Sequence, residues 1–274
     1  MSYKTILVHV GADARSSVRL ELAIALARRF EAHLVGISVQ PLIRLPVYVA
    51  IDPLIVEQQE RAADRETVEA AALFRSATAA AGVAGAEWRT EAAGPVDALL
   101  LHARYADLLI LGQRDPAETW AAGPDFPNEV LLAAGRPVLV VPYTGSFRDT
   151  GNRVVVAWNA SREAARAVTD AIPLLRGAAA VRIITINPRA GRHGEIPGAD
   201  IGLYLARHGV RVEVAKDDGV NIDVGNELLS RAADFEADLI VMGAYGHSRM
   251  RELVMGGATR TIIDSMTVPV LLSH

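Results

Sequence analysis

The chain has 274 residues, room for one large domain or two ordinary ones with proper cores. At 51% hydrophobic and 22% charged it is globular in composition and not disordered, and a net charge of −4 offers no basic footprint for nucleic acid. Cysteine is absent, which excludes disulfides and thiol chemistry, and no apolar run approaches the ~20 residues of a membrane span.

Met1-Ser-Tyr-Lys-Thr-Ile passes straight into a strand pattern without signal-peptide architecture, so a cytoplasmic location is the expectation. Lys4–Val10 reads as a buried strand. Ser16–Phe30 repeats apolar residues at helical spacing through Leu20, Ala23, Ile24 and Ala27. His33–Val39 is a second strand. The segment Pro41–Pro53 is apolar but interrupted by Pro46, which predicts a packed loop. A helix is expected over about Leu54–Ala81, a strand over Ala86–Ala93 and a helix over Pro95–Arg104. Ala106–Leu111 is the fourth strand, Asn128–Ala134 a short helix with Pro127 at its start, and Arg136–Pro142 holds the closing strand.

The series then repeats. Asn152–Trp158 echoes the opening strand, and Ser161 is placed to cap a helix striped by Val168, Ala171, Ile172 and Leu175. Pro173 should kink that helix or mark its end. Strands follow at Val181–Ile186 and Val210–Ala215, with helices at Ala199–His208 and Val224–Phe235. Ala106-Asp-Leu-Leu-Ile-Leu-Gly112 lies over Ala237-Asp-Leu-Ile-Val-Met-Gly243, and Arg136-Pro-Val-Leu-Val-Val over Thr267-Val-Pro-Val-Leu-Leu. Two domains of similar fold are expected, residues 1–146 and 147–274, joined through the polar stretch Tyr143–Asn152. Strands alternating with helices imply right-handed crossovers and parallel sheets, with ligands at the carboxyl ends of the strands where the winding reverses.

The strand Ala237–Met242 runs into Gly243-Ala-Tyr-Gly246, and after nine residues Gly256-Gly257-Ala258-Thr259 opens a helical pattern. A glycine-rich loop between a strand end and a helix start exposes backbone N–H groups with no Cβ to hold a ligand off, which suits phosphate. The spacing Gly-x2-Gly-x9-Gly before the final strand resembles the nucleotide-binding signature of the universal stress protein family, and the resemblance covers essentially the whole chain as a tandem of two such domains. It implies an α/β fold of two Rossmann-like (adenine nucleotide alpha hydrolase-like) domains, each a five-stranded parallel sheet flanked by helices. It also implies that the last strands pair across a dimer-like interface, here Pro137–Val141 with Val268–Leu272 in one chain, leaving room for a homodimer of whole chains. The implied cofactor is ATP or AMP, with Mg²⁺ as a candidate companion. The implied role is in stress response or signalling through nucleotide-dependent interactions.

Carried over position by position, the nucleotide-binding residues implied are Asn159, Ile186, Met242, Gly243, Tyr245, Gly246, Gly256, Gly257, Ala258 and Thr259. Asn159 stands where the family has an acidic residue after its first strand, and its amide retains hydrogen-bonding capacity without repelling phosphate. On chemistry alone it reads equally as a turn residue. Ile186, Met242 and Tyr245 match backbone or flanking contacts to the nucleotide; as side chains, Ile186 and Met242 read as core. Gly257 stands where the family has Ser or Thr, and Thr259 is the nearby hydroxyl able to replace it. His247 is balanced between cation for phosphate and solvated loop residue; Arg249 and Arg251 read as solvated.

The first half departs from the motif. Gly11 replaces the acidic position, Asp115 falls where Gly246 sits, and Trp120 and Pro124 add bulk. A carboxylate there repels phosphate, so one nucleotide per chain is expected, in the second half. The first half is then a packing partner, or a holder of another ligand under the Leu42–Ile51 loop. The seven histidines show no paired metal spacing, and no Walker motif, nucleophile elbow or His/Cys pair is present. The alternatives are an interaction protein whose site has lapsed, motivated by Gly257, and a slow ATPase in which Glu252 and Asp264 hold Mg²⁺.

Overall fold

A computed structural model describes residues 2–11, 13–39, 53–91, 94–117, 125–188, 196–217, 223–245 and 257–274. The apolar runs of the first half form β1 (Thr5–His9), β2 (His33–Val39), β3 (Ala86–Glu91), β4 (Leu108–Gly112) and β5 (Val138–Val141). Those of the second form β6 (Arg153–Ala157), β7 (Ala180–Ile186), β8 (Val212–Asp217), β9 (Leu239–Gly243) and β10 (Val270–Ser273). They make one ten-stranded sheet in the order β3-β2-β1-β4-β5-β10-β9-β6-β7-β8.

Within each half every neighbouring pair is parallel, as crossover helices require. The halves meet where β5 and β10 pair antiparallel, with Val140 opposite Val270 and Leu139 opposite Leu271. The pairing hides two apolar strands that would otherwise be exposed edges.

Side chains alternate between two cores that run through both halves. Ile6, Val8, Val154, Val156 and Leu271 face α1 (Ser16–Phe30), α2 (Pro53–Ala80), α5 (Arg162–Leu175) and α6 (Ala199–Arg207). Leu7, Val155, Val270 and Leu272 face α3 (Pro95–Ala103), α4 (Phe126–Ala133), α7 (Val224–Asp234) and α8 (Ala258–Ser265). Strands buried on both faces explain the continuous apolar runs in the sequence.

The repeated Ala-Asp-Leu has a structural reason at the end of the sheet away from the ligand side. Asp107 Oδ2 accepts the N–H groups of Lys4 and Thr5 at 2.7 and 2.9 Å. Asp238 does the same for the N–H groups of Gly151, Asn152 and Arg153 at 2.9–3.2 Å. Each aspartate clamps the start of the neighbouring first strand. Ser161 caps α5 as expected, its Oγ accepting the Ala164 N–H at 3.1 Å. Pro173 does not end α5, which runs two residues beyond it to Leu175.

Candidate functional site

In the second half the winding reverses between β6 and β9: β7 and β8 lie to one side and β10 to the other. The carboxyl ends of β6, β7 and β9 therefore bring together Asn159, Ile186, Met242 and Gly243, with Tyr245 in the turn after β9 and Gly257 at the start of α8. Gly246 and Gly256 lie outside the described residues, as do His247, Arg249, Arg251 and Glu252.

Asn159 is exposed, and its Oδ1 accepts the Ser161 N–H at 3.1 Å, an Asx turn that leads the chain into α5. Ile186 is half-buried at the end of β7, and Met242 is buried at 7% exposure, both packed on the α7/α8 side of the sheet. Gly243 has a packing role that the motif does not disclose. A Cβ there would stand 2.4 Å from the Ala164 nitrogen and 2.6 Å from the Glu163 carbonyl carbon, so only glycine lets α5 approach the strand end. Among the described residues of the turn, Tyr245 is left-handed, at φ 53°, although it is not a glycine. Its N–H donates to Thr259 Oγ1 at 3.2 Å, and its hydroxyl donates to Asn128 Oδ1 at 3.0 Å on α4 of the first half.

Gly257 is the N-cap of α8, without a side chain over the helix start. Ala258 and Thr259 begin the helix, and N–H groups at that position have no partner within the helix's own ladder. Thr259 is 3% exposed with its oxygen engaged by Tyr245, so its hydroxyl proton is what it retains to offer a phosphate.

The matching places in the first half are filled from within. Val8 pairs with Ile110 as Val156 pairs with Val241, and the buried positions of α1 and α5 coincide when Arg19 is laid on Ala167 and Ser16 on Ala164. Arg19, at 1% exposure, binds both carboxylate oxygens of Asp13 at 3.1 and 2.7 Å, the His9 carbonyl at 2.8 Å and Ser16 Oγ at 2.8 Å. Burial pushes the Asp13 carboxyl up, but the charge and hydrogen bonds of Arg19, with Ser16, outweigh it and hold the pKa down at about 2. His9 is kept neutral, its pKa lowered to about 3 by burial and then by the Arg19 charge. At the start of α4 the N-cap is Asp125, with Glu129 in the first turn, where α8 has Gly257. Asp115 turns its Oδ1 onto the Ala117 N–H at 2.8 Å; Trp120, Pro124 and the Leu42–Ile51 segment are outside the described residues.

Between α4 and α8 lies a cavity of about 660 Å³. Arg114, Asp125, Asn128 and Glu129 line it from the first half, and Tyr245, Gly257, Arg260 and Asp264 from the second. Gln113, 4% exposed, ties its floor together: Nε2 donates to the Ile263 carbonyl at 2.8 Å and Oε1 accepts the Tyr143 N–H at 3.1 Å.

The model of the universal stress protein family matches residues 2–142 and again 151–274. The chain belongs to the universal stress protein family. A universal stress protein of Archaeoglobus fulgidus DSM 4304 superposes with a TM-score of 0.72 at 18% identity, over 98% of this chain and 95% of that one. A functionally unknown protein of Pseudomonas aeruginosa PAO1 superposes at 0.60 with 14% identity, over 99% of this chain and 92% of that one. A Synechocystis universal stress protein is 27% identical over 175 residues, 60% of this chain and only 57% of that relative. The tandem universal stress protein fold is thus common to a chain of nearly equal extent. Beyond the family's fold, the structure brings out the Arg19–Asp13 pair, Asp125 and the link between Tyr245 and Asn128. Sequence reasoning passed over them; Arg19, a charge directly before the apolar stripe of α1, was the visible signal for the first.

Proposed function

We propose that the second half binds an adenine nucleotide, ATP or AMP, in the crevice at the ends of β6, β7 and β9. On this reading the protein acts in stress response or signalling, in the cytoplasm, through interactions that depend on the nucleotide. The domains divide near residues 146 and 147. The observation that carries the reading is the contrast at two equivalent helix starts. Gly257 leaves the start of α8 open to an anion, whereas Asp125 puts a carboxylate at the start of α4. A helix start without a side chain fits a phosphate. Asn159 and the backbone at Ile186 and Met242 would meet the nucleoside, and Gly257, Ala258 and Thr259 the phosphate, with any Mg²⁺ carried by the phosphate itself.

Equilibrium dialysis of the intact chain against ATP and AMP tests this: saturation at one nucleotide per chain is expected. No binding of either at millimolar concentration, or two sites of similar affinity, would refute it. A second reading, an interaction protein that works without nucleotide, is favoured by one observation: Gly257 brings no hydroxyl to the start of α8. Gly256→Trp separates the two readings, since it should abolish partner binding only if nucleotide is required.

A further inference from the structure

We infer that the first half takes part in the nucleotide site through the cavity between α4 and α8, with Arg114 supplying a cation to the phosphate end of the ligand. The inference rests on the proposed nucleotide reading and deepens it: the ligand class it favours is a nucleoside polyphosphate, whose added phosphates carry charge beyond Gly257 into the cavity. Gly257 is the hinge of the argument, because it both caps the expected phosphate helix and lines the cavity. A phosphate chain held at Gly257 therefore extends into a space whose other wall belongs to the first half.

The charges on that space have a definite pattern. Arg114 is exposed on the first-half wall and forms no ion pair with another described residue. Arg260, the second cation, faces Asp264 at 3.6 Å, both about two-thirds exposed, so its charge is partly engaged already. Asp125 and Glu129 stand on the α4 wall, exposed, and repel phosphate. The favourable path for a polyphosphate runs from Gly257 toward Arg114 and away from the start of α4. An arginine fork bridges phosphate oxygens by charge-assisted hydrogen bonds, which a cavity wall can supply without a conformational change. Tyr245 fixes the geometry, since its hydroxyl bond to Asn128 ties the turn after β9 to the first-half wall.

The two walls predict effects of opposite sign, measured by titration calorimetry on the intact chain with magnesium ATP and with adenosine. Arg114→Gln should weaken ATP by about three- to ten-fold and change adenosine by less than about two-fold. Asp125→Asn should tighten ATP by about two- to five-fold, again sparing adenosine, and both effects should shrink in high salt. Neither variant threatens the fold, because both side chains are exposed and Asp125 makes no side-chain capping bond. Unchanged ATP affinity in both variants overturns the inference while leaving the nucleotide reading standing. Equal losses for ATP and adenosine overturn it too, as the sign of a structural role. A wild-type chain that binds neither ligand overturns the nucleotide reading and the inference together.

Discussion

Replacing Arg19 by methionine keeps an unbranched apolar stem but removes the guanidinium that fills the first-half crevice. Both Asp13 oxygens, the His9 carbonyl and Ser16 Oγ then lose the guanidinium at once, and Asp13 keeps only the neutral Arg15 N–H and Ser16 hydroxyl as donors. Asp13 is only 13% exposed, so its carboxylate would stand nearly buried and unpaired. Removing one partner of a buried pair typically costs ~3–5 kcal/mol, whereas replacing both is often close to neutral. Arg19→Met should therefore destabilise the first half by about that much, and Asp13→Asn combined with Arg19→Met should recover a large part of it. The pair also sets a pH dependence. A carboxyl held near 2 in the fold against 3.8 in the unfolded chain contributes about 2 kcal/mol. The folded value is the lower, so the contribution is full above pH ~4 and lost as pH falls through about 2. Native-state hydrogen exchange at the amides of β1 and α1 reads the first half separately from the second, which a global melt of two joined domains does not. A loss below about 1 kcal/mol in the single variant, or a double variant no better than the single, would refute the assignment of Arg19 as the crevice's internal counter-charge.

Gly243→Ala should cost ~1–3 kcal/mol by urea unfolding, because its Cβ meets backbone of α5 and not a movable side chain; an unchanged midpoint would show that α5 shifts freely. His9, neutral in the fold at a pKa near 3 against 6.5 unfolded, makes stability fall as pH drops from about 6.5 toward 3, by up to ~1.4 kcal/mol per pH unit. His9→Ala, matching Ala157, should flatten that limb, and identical slopes in urea midpoints from pH 7 to 4 would refute it. Gly257→Ser should tighten ATP several-fold more than adenosine, since a hydrogen bond to a charged group is worth up to about 3 kcal/mol; no change in calorimetry would mean that Thr259 or the backbone already satisfies that oxygen.

Most of the fold was legible because each strand is an apolar run long enough to be buried on both faces and each helix carries its own periodicity. The boundaries that moved did so for tertiary reasons. The fourth strand, expected from Ala106, starts at Leu108, just past Asp107, whose carboxylate clamps the N–H groups of Lys4 and Thr5. The eighth, expected over Val210–Ala215, runs over Val212–Asp217 because its register follows β7, with Val212 opposite Val181 and Asp217 opposite Ile186. The last, expected over Val268–Leu272, is assigned over Val270–Ser273, where it pairs with both β9 and β5. At the candidate site the glycine spacing was visible, but the work of individual residues was not. Gly243 reads as a loop glycine until the approach of α5 is seen. Tyr245 reads as a flanking contact until its hydroxyl is found on Asn128, 117 positions away in the chain. Neither long-range partner leaves a mark in local sequence.

The two halves show how one fold comes to differ in what it leaves open. Position for position, Ser161, Ala164 and Ala167 stand where the first half has Asp13, Ser16 and Arg19. The larger set closes a crevice with an ion pair that satisfies itself; the smaller set instead lets α5 pack directly on the strand end at Gly243. The same division recurs at the helix starts, where Asp125 answers Gly257. A carboxylate at a helix start is stabilising through the helix dipole by ~0.3–1 kcal/mol, so the first half gains in stability what it gives up as an anion site. Because β5 and β10 join the halves in one sheet, the first half also supplies a wall to the cavity beside α8. Arg114 and Asn128, which no motif of the first half singles out, enter the proposed site only through that wall, at the cavity they share with Gly257 and Tyr245.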